Sequence, residues 1–128
     1  MDAGSLSVSE GKTLQKHLRI LTGLYGFVKP GDLIQEHRLC MGTKLQISDN
    51  HKDLYSYWGD DLALLMVKDL EFQLLQSGDP SAVPVLINCA SQEYSKSVLP
   101  HLSGIHLFAA SRFYTYSFVI AQTREFVL

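Results

Sequence analysis

The sequence predicts an α/β fold, with a partly parallel mixed sheet and flanking helices. Three observations predict it. Leu54, Tyr57, Trp58, Leu62, Leu65, Met66 and Leu70 recur at spacings of three and four, the stripe of an amphipathic helix lying on a sheet. Residues 83–90 (VPVLINCA) form a short apolar run bounded by turn residues, which suits a buried parallel strand. Strand-like and helix-like segments then alternate along the chain, an order that favours parallel pairing.

Taken in order, residues 1–8 are small and polar and are expected to fray. Ser7 and Glu10 have S-x-x-E spacing, a capping box opening a short helix to about residue 15 or 16. Residues 17–22 (HLRILT) set Leu18, Ile20 and Thr22 against Arg19 and Leu21, a strand pattern. Gly23-Leu24-Tyr25-Gly26 breaks it. Pro30-Gly31-Asp32 makes a second turn, from which Asp32 is placed to cap a short helix over 33–37. Residues 42–52 are polar and read as a loop.

Asp53 opens the long helix, and Asp53, Asp60 and Asp61 lie toward its N-terminal half, where the macrodipole favours negative charge. Ser77-Gly78-Asp79-Pro80 stops it. After the 83–90 strand, Ser91 is expected to cap a helix through about residue 98, ended by Pro100. Residues 105–110 are a further strand candidate. Tyr114, Tyr116, Phe118 and Ile120 alternate with Thr115, Ser117 and Val119, which predicts another strand.

The 128 residues suit a single domain, and 46% apolar content is enough for one core. A net charge of −2 supplies no global field toward nucleic acid or anionic lipid. The charge is unevenly spread. Residues 11–52 hold seven Lys/Arg against three acids, while residues 53–79 hold six acids against one Lys. This pattern gives either one positive face or two solvated faces of opposite sign. Cys40 and Cys89 form neither a C-x-x-C pair nor a dense framework, which favours a reducing compartment. With no signal-peptide pattern and no apolar run of spanning length, a cytoplasmic protein without a membrane partner is expected.

In open α/β sheets ligands sit beyond the C-terminal ends of strands. Here those ends run into Thr22-Gly23-Leu24-Tyr25-Gly26 and Asn88-Cys89-Ala90-Ser91. Around the second end cluster Asn88, Ser91, Glu93, Tyr94 and Lys96. They read either as an anion site, with helix amides and Lys96 binding charge and Glu93 or Tyr94 carrying a proton, or as a capped helix with a solvated face. Lys29, Arg38 and Lys44 beside Tyr25 read either as a phosphate-binding patch or as ordinary surface charge. Gly23 and Gly26 fit neither a dinucleotide fingerprint nor a phosphate-binding loop. The histidines at 17, 37, 51, 101 and 106 have no metal-ligand spacing, so neither a metal nor a cofactor is expected. An enzymatic role is left open, with a non-enzymatic one favoured.

Residues 18–35 (LRILTGLYGFVKPGDLIQ) resemble the signature of the YaaA family of peroxide-stress proteins, L-R-x-L-S-G-L-Y-G-x-L-R-P-x-D-L-I. Residues 38–42 (RLCMG) are similar to its R-L-E-M-G, 53–60 (DLYSYWGD) to D-L-Y-x-F-W-G-D, and 87–98 (INCASQEYSKSV) to I-N-L-A-S-x-E-Y-F-K-x-V. The resemblance spans 16–99 and leaves 100–128 as a divergent C-terminal segment. It implies an oxidative-stress protein of the cytoplasm, linked to iron homeostasis through limiting damage from unincorporated iron. It further implies a basic cleft that binds double-stranded DNA, with no established reaction. Tyr25, Asp32, Arg38, Asn88, Ser91, Glu93, Tyr94 and Lys96 are the motif residues implied to line that cleft, with Lys29 beside them.

The family's S-P-A-K-T opening does not occur in these residues. Nor do the helical region after it, where a helix-hairpin-helix element is placed, and the later F-x-x-x-K-x-A-R-G-type segment. An incomplete version of the family fold is therefore expected. Cys40 stands where the family has Glu, His37 for Tyr, Glu36 for Pro and Lys29 for Arg. Lys29 keeps the charge but not the bidentate fork. The competing functional expectations are an enzyme of unknown reaction on a small anionic substrate and a truncated product with no independent function.

Overall fold

A computed structural model describes residues 3–102 and 114–117. The chain separates into two compact units, one ending at Cys40 and the other beginning at Met41.

In the first unit a 3-10 turn at Ala3–Ser5 leads to α1 (Val8–His17). The expected capping box is present. The Ser7 hydroxyl accepts from the Glu10 amide at 3.3 Å, and the Glu10 carboxylate accepts from the Ser7 amide at 2.8 Å. The next strand is shorter than expected. Only β1 (Ile20–Thr22) is extended, paired antiparallel with β2 (Gly26–Val28), with Ile20 opposite Val28 and Thr22 opposite Gly26. Gly26 has φ 77°, a conformation that favours glycine. A Cβ on Gly23 would collide with the carbonyl oxygen of Leu39, so this turn also needs glycine for space.

The helix expected over 33–37 does not form. Asp32 looks backward instead of capping forward: its carboxylate accepts from the Lys29 amide at 2.8 Å and its own amide donates to the Lys29 carbonyl at 3.0 Å. Leu33 is fully exposed, so no apolar face rewards a helix there.

In the second unit, a bridge between Ser48 and His51 precedes α2 (Leu54–Trp58), α3 (Asp61–Ser77), β3 (Val85–Asn88), α4 (Gln92–Ser95), α5 (Leu99–Leu102) and β4 (Tyr114–Ser117). β3 and β4 pair in parallel, Val85 with Tyr114 through Asn88 with Ser117. With β1–β2 antiparallel, the chain is α/β with mixed pairing. The core of this unit is Met41, Leu54, Leu62, Ala63, Met66, Val67 and Val98, with the buried Ser97.

Several expectations for this unit are corrected. The single helix from Asp53 is two helices, because Gly59 adopts φ 46° and ψ −128°, outside helical space. The break shifts the stripe, so that Leu62 and Met66 are buried while Tyr57 and Leu65 are exposed. β3 is parallel but not buried: Val85 and Ile87 share one face of the strand and are 46% and 59% exposed. Ser91 holds the N-cap position of α4, but its hydroxyl makes no capping bond.

The helix after Ser91 also ends early. The buried Ser97 returns both its hydroxyl and its amide to the Tyr94 carbonyl, at 2.7 and 3.1 Å. Pro100 does not end a helix. It stands in the first turn of α5, where its missing N–H has no intrahelical partner to lose. α3 is stopped at Ser77 by Gly78, left-handed at φ 66°, as expected. The strand expected at 105–110, and residues 118–120 of the last one, lie outside the described residues.

Candidate functional site

The site residues named from sequence fall into both units. In the first, the β1–β2 reversal carries Tyr25 to the surface. Its amide donates to the Thr22 hydroxyl at 3.0 Å, which stiffens the turn, and Thr22 itself is buried. The Tyr25 phenol oxygen accepts from the Gln35 amide at 3.2 Å, and its ring meets the His37 ring edge-on with centroids 5.4 Å apart. These contacts lay the extended 35–37 segment against the hairpin and bring exposed Arg38 into the same neighbourhood of the chain. Lys29 is half-buried at the end of β2, in the turn that Asp32 closes. The structure therefore joins Tyr25 to the segment before Arg38, and Lys29 to Asp32. Asp32 serves the turn with its carboxylate.

In the second unit the β3 strand end is held by a local turn, in which the Asn88 side-chain oxygen accepts from the Ala90 amide at 3.1 Å. Glu93 is engaged more distantly. Its carboxylate accepts from the Gly42 amide at 2.7 Å, and its backbone carbonyl accepts from the Tyr55 phenol at 2.9 Å. The Tyr55 pKa is raised, first by burial and then by the nearby negative charges of Glu93 and Asp53. A Cβ on Gly42 would lie 2.9 Å from the same carboxylate, so a larger residue there would push the flexible Glu93 side chain aside.

Glu93, Gly42 and Tyr55 thus form one knot joining three separate stretches of chain. Lys96 is exposed just past α4, and Tyr94 is half-buried. Because α4 has four residues, its aligned amides supply far less field than the longer helix expected here. Sequence reading missed Gly42 and Tyr55 as partners of Glu93, and also missed His101, whose Nδ1 lies 2.6 Å from an Asp60 carboxylate oxygen.

The family model described as "Peroxide stress protein YaaA" matches residues 1–124. The chain belongs to this family. Among curated relatives it is 48% identical to a UPF0246 protein of Burkholderia vietnamiensis over 101 residues, 79% of this chain and 36% of the relative. It is 47% identical to a UPF0246 protein of Ralstonia nicotianae over 100 residues, 78% of this chain and 35% of the relative. A third, from Burkholderia ambifaria, is 46% identical over 101 residues, 79% and 36% of the two chains. The chain spans about a third of the length of these relatives.

The YaaA-like motifs occupy the hairpin and its following segment in the first unit, and the α2 start and the β3–α4 junction in the second. Much of their sequence has a visible structural job. Gly23 and Gly26 shape the hairpin, Asp53 and Ser56 cap α2, Gly59 breaks the helix, and Glu93 holds Gly42. Arg38 and Lys96 are exposed cations that the motifs carry beyond those jobs. Among the described residues no cluster of His, Cys, Asp or Glu could hold a metal ion, and no helix is long and apolar enough to cross a membrane.

Proposed function

We propose that this chain serves the cytoplasmic peroxide response of its family by binding duplex DNA or another phosphate-bearing ligand through a basic surface, and so limits damage from unincorporated iron. The observation that carries the reading is the excess of seven Lys/Arg over three acids across residues 11–52, the stretch that holds the Tyr25 hairpin and exposed Arg38. Phosphate contacts need cations on an accessible surface more than they need a deep pocket. In this reading Lys29 and Arg38 contact phosphate, Tyr25 offers its ring edge beside them, and Asp32 keeps the turn closed. Asn88, Ser91 and Lys96 provide anion contacts in the second unit.

Retention of duplex DNA by the 128-residue chain tests this. Binding is expected to weaken by on the order of 100-fold or more between about 50 and 200 mM salt, and Arg38→Ala to lower the salt slope by roughly 1. No retention at the lower salt would refute DNA as the ligand.

A reaction on a small anionic substrate at Glu93, Tyr94 and Lys96 is less favoured, because the Glu93 carboxylate already accepts from Gly42. Stabilisation by a phosphorylated metabolite that Lys96→Ala abolishes would restore it.

A further inference from the structure

His37 is held from two sides. Its ring meets the Tyr25 ring at an interplanar angle of 81°, and its Nδ1 lies 3.1 Å from the Gln35 carbonyl oxygen. A carbonyl oxygen can only accept, so Nδ1 carries the hydrogen and Nε2 holds the lone pair of the neutral ring. A second proton then goes to Nε2. Its arrival breaks neither the Nδ1 bond nor the ring contact. His37 can therefore change charge without releasing the 35–37 segment from the hairpin.

The groups facing the ring are the Tyr25 phenol, from the β1–β2 turn, and the Gln35 carbonyl of its own segment. Glu36 and Arg38 are the charged residues on either side along the chain, and both are exposed. Their charges act on His37 in opposite directions. A phosphate at Arg38 changes that balance, because it offsets the guanidinium and brings its own negative charge, and protonation of His37 is then favoured. By linkage, a proton that the ligand favours also favours the ligand. The Cα atoms of adjacent residues are about 3.8 Å apart, and charges within about 10 Å still interact at 0.1 M salt.

We propose that His37 makes phosphate binding at the Arg38 surface pH-sensitive. The neutral ring adds nothing to the charge of Arg38, and protonation sets a second positive charge beside it in a side chain already fixed in place. Imidazole suits this role because its charge changes near neutral pH. The switch presupposes the phosphate-binding reading above and adds to it a control by protons.

Retention of duplex DNA, and separately of inorganic polyphosphate, by the 128-residue chain tests this. It is measured at about pH 8 and about pH 6. The chain has five histidines, so the parent's gain in affinity at the lower pH is compared with that of two variants. His37→Phe keeps a ring against Tyr25, and His37→Asn keeps a donor toward Gln35. The parent is expected to gain about three-fold more than either variant, roughly the effect of one unit charge several ångströms from a phosphate in water. Its salt slope is expected to steepen by up to about 1 at the lower pH. A parental gain that survives in either variant would overturn the proposal and leave the ligand reading intact, since neither new side chain titrates there. No retention of either probe at either pH would refute the ligand reading and the switch with it.

Discussion

Asp53 and Ser56 each serve the other. The Asp53 carboxylate accepts from the Ser56 amide at 2.7 Å, and the Ser56 hydroxyl faces the Asp53 amide at 3.2 Å. Ser7 and Glu10 repeat the arrangement at α1. Both acids are held below their ordinary values: Asp53 by the Ser56 amide and then its hydroxyl, Glu10 by the Ser7 hydroxyl and then its amide. A carboxylate whose folded pKa is depressed contributes stability above its unfolded value and loses that contribution as pH falls through the folded value. The caps therefore contribute fully above the ordinary carboxylate range, and that contribution declines as pH falls from there through the depressed folded values. Asp53→Asn with Glu10→Gln should flatten that acid-side loss, measured as Tm against pH. If the variant's acid profile matches the parent's, these caps contribute nothing to it. The Ser7–Glu10 cap was legible from spacing because its partners are three residues apart. The Glu93–Gly42 bond joins residues 51 apart, and His101–Asp60 joins residues 41 apart. No local pattern encodes either, since the fold alone brings them together.

At the scale of elements, periodicity located helical sequence but not helical continuity. The three- and four-residue spacing runs through Gly59 as though the helix were unbroken, whereas that glycine's φ of 46° turns α3 away from the line of α2. Backbone freedom at one glycine thus outweighs side-chain pattern. Gly59→Ala should destabilise the second unit by about 1–3 kcal/mol, because an alanine there must adopt a strained conformation or straighten the junction. Chemical denaturation would show it. Unchanged stability would mean that the junction can be rebuilt as continuous helix without loss. The failure of the 33–37 helix has a comparable origin, in that Asp32 had two uses and the tight turn back to Lys29 took it. The parallel pairing of β3 was legible in its apolar run. Its exposure was not, because an apolar run reports capacity for burial without saying what covers it.

For the molecule as a whole, stability should concentrate on a small core. Leu62 is completely buried on α3, and Leu62→Ala should cost about 2–5 kcal/mol, a large share of the total for a domain of ordinary stability. A cost below about 1 kcal/mol, measured by urea denaturation, would mean that α3 does not pack through Leu62. The family was readable because its motifs lie in continuous stretches of sequence. The proposed ligand residues were readable from charge composition and from those motifs, since exposed cations such as Arg38 and Lys96 leave no periodic trace.

Cys40 ends the first unit and Cys89 lies at the β3 end of the second, and both are free and exposed. The protein therefore has one exposed thiol in each half, without engineering. Donor and acceptor dyes on these native thiols make it its own molecular ruler, reading out the spacing of the halves as salt or DNA is added.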